Sequence, residues 1–429
     1  MVNNLLSVWG TVGSVLLAIL ILLIMITVHE FGHWVAGKIL KFKIDEFSIG
    51  FGPALFKKKK KNGEIFALRL IPLGGYCSFH GEDGLEEEAQ LPEPFPETQE
   101  GTIAAETERV SPAAEPLPGG KKKRTPEWKS KPDDGSFTRK APWKRLIVLV
   151  AGAFMNYVLA LVVIMICFFS YGQTMIGVSK VASAEGLPEE YAQQSLHDGD
   201  VLLEANGKKL YLANDVALAL NGKKEGEEVT LRVSRIIGTK TDDQDETVNV
   251  REVRVVTVKL RSDVTVKSSA DTDCVWEALG AEYIEDEEGN GGYALGSRLF
   301  RFGFFETVGR SFVYSFKIAG SVLRVLGELL TGRLGLSAFG GPITTIKMTS
   351  QIASSSFRSF LEISGFIGVN LAVFNLLPIP ALDGSKFVFT VIEWIRGKPI
   401  SRKIEAIIHA AGFIFLLGFA VLVDILQFV

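Results

Sequence analysis

The sequence predicts an α-helical polytopic membrane protein with four transmembrane helices, one inserted β-rich domain and a membrane-associated β-hairpin. Three observations carry that prediction. Four long runs lack Lys, Arg, Asp and Glu, and each approaches the ~20 apolar residues that cross a bilayer. The balance of 47% hydrophobic to 22% charged residues, with mean hydropathy +0.24, is too apolar for an ordinary soluble enzyme and too charged for a bare helical bundle. Between the second and third runs lies a stretch of alternating apolar residues and tight-turn signals. The 429 residues allow about three units of ~150 residues each. A net charge of −3 argues against nucleic-acid binding as the main role. Cys77, Cys167 and Cys274 are too scattered for a disulfide framework or a cysteine-rich zinc module.

The first helix is expected over 1–37. Met1 to Val28 carries no charge, and the aliphatic core from Ser14 continues through Phe31, Trp34, Val35 and Ala36. It lacks the charged leader and the cleavage site of a signal peptide. Residues 38–81 read as a loop and hairpin, with Ile65 to Ile71 alternating before the turn at Pro72-Leu73-Gly74-Gly75-Tyr76. Residues 82–142 are rich in Glu, Pro, Gly and Lys with little aliphatic content, and are expected to be disordered. The second helix, 143–175, takes up the uncharged run that starts at Leu146.

The β-rich domain is expected over 176–261. Asp198-Gly199-Asp200 leads into the strand Val201 to Ala205, and Asn206-Gly207 is a tight hairpin signal. Asn214 to Leu220 reads as helix, and Val229–Val233 and Val248–Leu260 as half-buried strands. The acidic, Gly-containing stretch 262–304 reads as loop. Over 305–335, Phe305, Val308, Phe312, Phe316, Ala319 and Leu323 recur at steps of three or four, opposed by Glu306, Arg310, Lys317 and Arg324. That is an amphipathic helix suited to the membrane side. A connecting segment, 336–362, precedes the third helix at 363–384. A loop, 385–403, and the fourth helix, 404–429, complete the chain.

Lys and Arg near the span ends set the expected orientation. Lys38, Lys41, Lys43, the run Lys57–Lys61, Arg139, Lys140, Lys144 and Arg145 flank the first loop. Arg396, Lys398, Arg402 and Lys403 lie between the third and fourth runs. Both loops are therefore expected to be cytoplasmic, with both termini and the β-rich domain outside. The lysine run itself reads as a solvated topogenic cluster.

The chemistry concentrates at His29-Glu30-Phe31-Gly32-His33. On a helix, residues four apart share a face, so both imidazoles can reach one Zn²⁺, while Glu30 stands where it can take a proton from a zinc-bound water. Such groups inside an apolar span are costly and point to function. Catalytic zinc needs a third protein ligand and an open position. Asp383, which follows the uncharged run Ile363–Leu382, is the best candidate, and the expected orientation puts it at the same depth as the two histidines. Pro378 and Pro380 remove backbone donors beside it. Asn375 and Asn156 are polar groups within apolar runs, and each could hydrogen-bond a substrate backbone or steady a neighbouring helix. His80 reads as a loop residue, His197 falls on the opposite side of the membrane, and His409 reads as a helix-packing residue.

These residues resemble the site-2 protease family of intramembrane zinc metalloproteases, in its bacterial RseP/RasP-like branch. The resemblance rests on His29-Glu30-x-x-His33, Pro72-x-Gly74-Gly75-Tyr76, Ala151-Gly152-Ala153-Phe154-Met155-Asn156 and Asn375-x-x-Pro378-x-Pro380-x-Leu382-Asp383-Gly384. Gly340-Gly341-Pro342-Ile343 resembles the family's Gly-Pro segment before the third span, and the β-rich domain resembles a PDZ domain. The resemblance implies one zinc ion held by His29, His33 and Asp383, with Glu30 activating the water. It implies substrate binding by Asn375 and an added strand beside Gly74 and Gly75. The implied substrate is a single-span membrane protein pre-cleaved by a site-1 protease, such as an anti-sigma factor, or a remnant signal peptide. The implied location is a bacterial cell membrane. Two departures stand out: Gly152-Ala153 replaces the usual Gly-Pro, and the PDZ peptide-end loop is replaced around Leu187 to His197. A PDZ scaffold without catalysis, a membrane-anchored protease for soluble proteins and a metal transporter are weaker readings. The intact Glu30, the position of His29 within an apolar helix and the lack of a second intramembrane polar path argue against each in turn.

Overall fold

A computed structural model of the chain describes residues 2–82, 126–183, 196–241, 247–285, 291–336 and 340–428. In chain order the first elements are α1 (Val2–Ile39), β1 (Ile44–Lys59), β2 (Ile65–Phe79), α2 (Glu127–Ser130), α3 (Pro142–Tyr171) and β3 (Gln173–Val178). Next come β4 (Asp200–Ala205), β5 (Lys208–Lys209), α4 (Asp215–Leu220), β6 (Glu228–Thr241), β7 (Thr247–Lys259), α5 (Asp273–Leu279), β8 (Tyr283–Glu285), β9 (Gly291–Tyr293) and β10 (Leu295–Phe300). The chain ends with α6 (Phe304–Leu330), α7 (Pro342–Ser355), α8 (Phe357–Leu376), α9 (Asp383–Arg396) and α10 (Arg402–Phe428). Among the described residues, four helices are long and apolar enough to cross a membrane: Gly13–Ile39, Pro142–Tyr171, Phe357–Leu376 and Arg402–Gln427. Helix is the form these runs must take in lipid, because it satisfies every backbone polar group within the segment.

The chain divides into two compact units. The first comprises Met1–Val28, Ala153–Asn375 and Leu416–Val429. Its β-rich part is a sheet of order β10-β3-β4-β6-β7, with β5 paired to β4. Val229, Leu231 and Val233 alternate inward from β6 beside Leu202 of β4 and Leu260, which follows β7, and α4 and α5 close over them with Leu220 and the buried Trp276. Its helical part packs small against large. A side chain at Gly365 would meet Ile164, and one at Gly368 would meet Ala160 and Met25.

The first half of helix α6 buries polar side chains, while its second half buries Ile318 and Val322. Thr307, Arg310, Ser311 and Ser315 are buried, whereas Phe305 (88%), Phe316 (63%) and Leu330 (87%) are exposed. The Arg310 guanidinium donates to Gln173 Oε1 (2.7 Å) and the Leu210 carbonyl (2.5 Å), and stacks 3.9 Å from the Phe302 ring centroid. The polar face is thus satisfied inside the protein, and the aromatic stripe faces outward.

The second unit comprises His29–Gly152 and Leu376–Phe415. Here β1 and β2 fold back on each other more elaborately than a hairpin. Residues 44–49 pair with 75–79 in antiparallel register, from Ile44↔Phe79 to Ile49↔Gly75. The same segment also faces 65–68, from Glu46↔Ile65 to Ile49↔Leu68. Those numbers rise together, so these two segments run parallel. Residues 54–59 then pair antiparallel with 65–69. The bends fall at Gly50 and Gly52 (φ +84° each) and at Gly74 (φ +116°). The left-handed backbone region explains the glycines there. The distal part, with Leu55, Phe56, Leu70 and Lys57–Lys61, is exposed.

Four stretches differ from the sequence reading. Of the expected disordered stretch 82–142, residues 83–125 lie outside the described residues, but 126–142 hold α2 and a 3-10 turn, Phe137–Arg139. Phe137 is buried against Phe42 and Phe79; one aromatic anchor orders a segment whose composition is otherwise polar. The expected loop 262–304 contains α5 and β8–β10. The apolar group Val275, Trp276, Ala278 and Leu279 enters the core, and β10 pairs with the distant β3 from Leu295↔Val178 to Phe300↔Gln173. The expected connecting segment 336–362 contains α7 and the start of α8. The third apolar helix begins at Phe357, where the Ser356 hydroxyl oxygen accepts the Ser359 amide (3.0 Å), carries the Arg358–Glu362 ion pair (2.9 Å) in its first turns, and ends at Leu376, well short of 384. The stretch read from sequence as a replaced peptide-end loop, Leu187 to His197, lies outside the described residues except for Leu196 and His197.

Candidate metal centre

The site assembles from four backbone segments of the second unit. Helix α1 supplies His29 and His33 one turn apart, both 7% exposed. Asp383 comes from a separate helix rather than from the end of the third span. Leu377–Leu382 breaks the path with Pro378, Pro380 and the left-handed Ala381 (φ +78°), and α9 then begins at Asp383 itself. The aspartate therefore sits in a helix's first turn, where the positive end of the helix dipole favours a carboxylate. Gly384 is required next to it, because a side chain there would lie 2.5 Å from the Leu376 carbonyl.

His29 Nε2 lies 2.9 Å from Asp383 Oδ2, His33 Nε2 lies 3.2 Å from the same oxygen, and the two imidazole nitrogens are 3.1 Å apart. Metal–ligand bonds of about 2.0–2.2 Å at a tetrahedral angle would place donor atoms about 3.3 Å apart. This donor set, two nitrogens and one carboxylate oxygen, therefore fits one zinc ion with a fourth position left over. Among the described residues it is the one group of three or more His, Cys, Asp or Glu with that spacing. His33 Nδ1 lies 2.8 Å from the Val148 carbonyl oxygen and donates to it. That bond fixes the tautomer and leaves Nε2 free as a donor to metal.

The third segment is the start of α3. A side chain at Gly152 would clash with His33 Nε2 and stand 2.8 Å from His29 Nε2. A residue without Cβ is needed where the helix passes the imidazoles. Gly152 stands in one of the motifs quoted above, yet its steric role becomes visible only with the histidines in place. Val148 has no side-chain signature at all, since it acts through its carbonyl.

Glu30 is partly buried, in electrostatic reach of His29, His33 and Asp383, and its carboxylate lies beside the Cys77 backbone amide. Cys77 belongs to segment 75–79, the edge of the folded-back sheet that begins with Gly74 and Gly75. A side chain at Gly74 would run into the Phe51 ring. A polar network steadies the same segment. Arg69 donates to Glu46 Oε1 (2.5 Å), Ser48 Oγ (2.9 Å) and the Gly52 carbonyl (2.8 Å), and Tyr76 donates to Glu46 (2.8 Å). Burial would raise the Glu46 carboxyl, but the Arg69 and Tyr76 hydrogen bonds outweigh that and hold it below its ordinary value.

A clamp ties this sheet to α1. Glu64 accepts hydrogen bonds from Trp34 Nε1 (2.7 Å) and Lys38 Nζ (2.6 Å), within five residues of His33 along the helix. Burial alone would raise the Glu64 carboxyl, but the bonds from Lys38, Trp34 and Asn62 pull it down to about 2. Asn156 and Asn375 belong to the first unit. Asn156 is fully buried in α3, and Asn375 is half-buried one residue before the end of α8. His80 pairs with Asp45 (3.1 Å), away from the donor set.

Comparison with known proteins agrees with this chemistry. The model of peptidase family M50, the site-2 protease family, matches residues 17–419, and the chain belongs to that family. A Clostridium perfringens protein is 30% identical over 96% of this chain and 97% of its own length. One from Agrobacterium fabrum is 27% identical over 95% and 94%, and one from Streptococcus pyogenes serotype M3 is 27% identical over 92% and 93%. All three carry the name "Putative zinc metalloprotease". The protein is a multi-pass membrane zinc metallopeptidase.

Proposed function

We propose that this peptidase cleaves transmembrane segments of single-span membrane proteins, with His29, His33 and Asp383 holding the zinc and Glu30 moving the proton. The observation that carries the reading is the convergence of three donor atoms, within 3.2 Å of one another, on histidines that belong to an apolar helix long enough to cross a bilayer. Zinc, when bound, supplies Lewis acidity that polarises a scissile carbonyl and makes water easier to deprotonate.

The protein's own groups do the rest. Glu30 accepts a proton from the attacking water and delivers it to the leaving nitrogen as the C–N bond breaks. The Val148 carbonyl keeps the His33 proton on Nδ1, away from the metal side. A helical substrate must unwind before its carbonyl becomes reachable. Segment 75–79 offers a sheet edge to which the extended stretch adds as a strand beginning at Gly74 and Gly75. Asn375 and Asn156 serve as further hydrogen-bond partners for substrate backbone. The lysine-flanked loops face the cytoplasm of a bacterial cell. The PDZ-like domain lies outside and admits substrates already trimmed by a site-1 protease.

The test uses purified, zinc-loaded protein in detergent with a single-span substrate, comparing wild type with Glu30→Gln and locating the cut by mass spectrometry. A cut inside the span that disappears in Glu30→Gln while zinc stays bound is the expected result. Cutting confined to soluble segments, or unchanged cutting by Glu30→Gln, would overturn the reading.

A further inference from the structure

The segment Leu377–Leu382 must hold Asp383 in place, yet it has little means of holding itself. Pro378 and Pro380 have no N–H. The Ile379 amide donates to the Leu377 carbonyl (2.7 Å) and the Leu382 amide to the Ile379 carbonyl (3.1 Å). The Ala381 amide instead donates out of the segment, to His409 Nδ1 of α10 (3.1 Å). Ala381 is also in the left-handed region (φ +78°), which a residue with a Cβ occupies only when its surroundings impose it.

Helix α10 makes a second contact one turn further on. A side chain at Gly412 would clash with Pro380 and lie 2.9 Å from its carbonyl carbon and oxygen. His409 and Gly412 share a helix face, so one stripe of α10 grips Pro380 and Ala381 together. The ring of His409 is also fixed edge-on to Phe389 of α9, at 5.7 Å between centroids, and α9 is the helix that Asp383 begins. Its Nε2 is buried without a hydrogen-bond partner among the described residues. A leucine would fill the same space without that unpaired N–H, so the imidazole is justified by what Nδ1 accepts.

We propose that His409 is a positioning residue: by accepting the Ala381 amide it locks the turn that aims the Asp383 carboxylate at His29 and His33. The proposal rests on the reading of Asp383 as a zinc ligand. His409→Leu should keep the packing and lose the acceptor. His409→Asn should restore an acceptor near the Nδ1 position. Supports of this kind typically change metal affinity by about 10–100-fold.

The experiment measures zinc affinity of the full-length protein in detergent by chelator competition, with size exclusion and thermal unfolding as fold controls. The variants are His409→Leu, His409→Asn, Gly412→Ala and Asp383→Ala. About a 10-fold or greater loss of affinity in His409→Leu, largely recovered in His409→Asn, is expected. Wild-type affinity in His409→Leu, or equal losses in His409→Leu and His409→Asn, would overturn the proposal. If His409→Leu fails to fold, Gly412→Ala decides: weakened zinc binding supports the grip of α10 on the turn, and unchanged binding overturns it. Asp383→Ala separates the two levels. Retained zinc there defeats the ligand assignment, whereas lost zinc there with normal binding in His409→Leu defeats only the role of His409.

Discussion

The β-rich part of the first unit and the second unit, which carries the candidate metal donors, combine apolar burial and paired buried charges in different proportions; the β-rich part buries one such charge, Asp200, against Arg235 (2.7 Å). Among the described residues, the β-rich core gathers 22 buried apolar residues, Trp276 among them, whereas the cluster that includes Val148 beside the candidate donors gathers seven. The second unit, with its smaller apolar cluster, buries His29, His33, Glu64, Lys140 and Arg145, each joined to a partner: Lys140 to Asp133 (3.0 Å), Arg145 to Glu393 (2.9 Å) and Glu64 to Lys38 (2.6 Å). Apolar burial is non-directional and tolerates adjustment, while hydrogen-bonded charges fix direction and are costly when one partner is lost. A site that must hold three donors on one point uses the directional means.

The strongest way to break this contrast is to remove a donor. Asp383→Ala or His33→Ala should lower zinc affinity by more than about 100-fold, beyond the loss usual for supporting residues, and abolish cleavage. Metal content of the purified variants checks this. Near-normal zinc in Asp383→Ala would mean that the carboxylate merely caps α9. Glu30→Gln should lower turnover by about 10²–10⁴-fold and leave zinc in place, because the amide keeps the shape and loses the proton acceptor.

The apolar side of the contrast predicts the reverse pattern. Trp276→Ala should destabilise the β-rich part by about 3–5 kcal/mol, as expected for emptying a fully buried aromatic site, while zinc affinity stays at the wild-type level. Hydrogen exchange across β3, β4 and β6 would report the first effect and chelator competition the second. Loss of zinc in Trp276→Ala would show that the two parts are energetically one.

The same contrast explains what could be read from the sequence. The pair His29 and His33 was legible because helical spacing alone brings it together. Asp383 was legible because a carboxylate at the end of an apolar run is expensive and draws notice. Its true setting, the first turn of α9 after a left-handed Ala381, was not, because a helix break built on prolines looks in sequence like the frayed end of a span. The Val148 carbonyl left no trace, since a backbone acceptor has no residue type. Trp276 sits in a stretch whose acidic, Gly-containing flanks suggest loop, and β10 is hidden because its partner β3 lies more than a hundred residues earlier. The parallel pairing of 46–49 with 65–68 was hidden for a related reason. Alternation reveals a strand and says nothing of which edge it joins.

The finest test of the contrast is a titration. The Glu64 carboxyl is drawn down to about 2, chiefly because the Lys38 and Trp34 bonds overcome the cost of burial. Its unfolded value is near the ordinary glutamate value of about 4.3. A depressed folded value means that the ionised form favours the folded state. Its contribution is therefore fully present above about pH 5 and fades as pH falls from there toward about 2. Protection of 44–79 from hydrogen exchange should weaken over that interval in wild type. In Glu64→Gln protection should be lower at neutral pH, by about 1–3 kcal/mol, and flatter below pH 5. The β-rich core around Trp276 has its stability mainly in apolar area and should respond less over the same interval. A Glu64→Gln variant with wild-type acid sensitivity in 44–79 would place the directional support of that sheet elsewhere, with the Arg69–Glu46–Tyr76 network as the alternative.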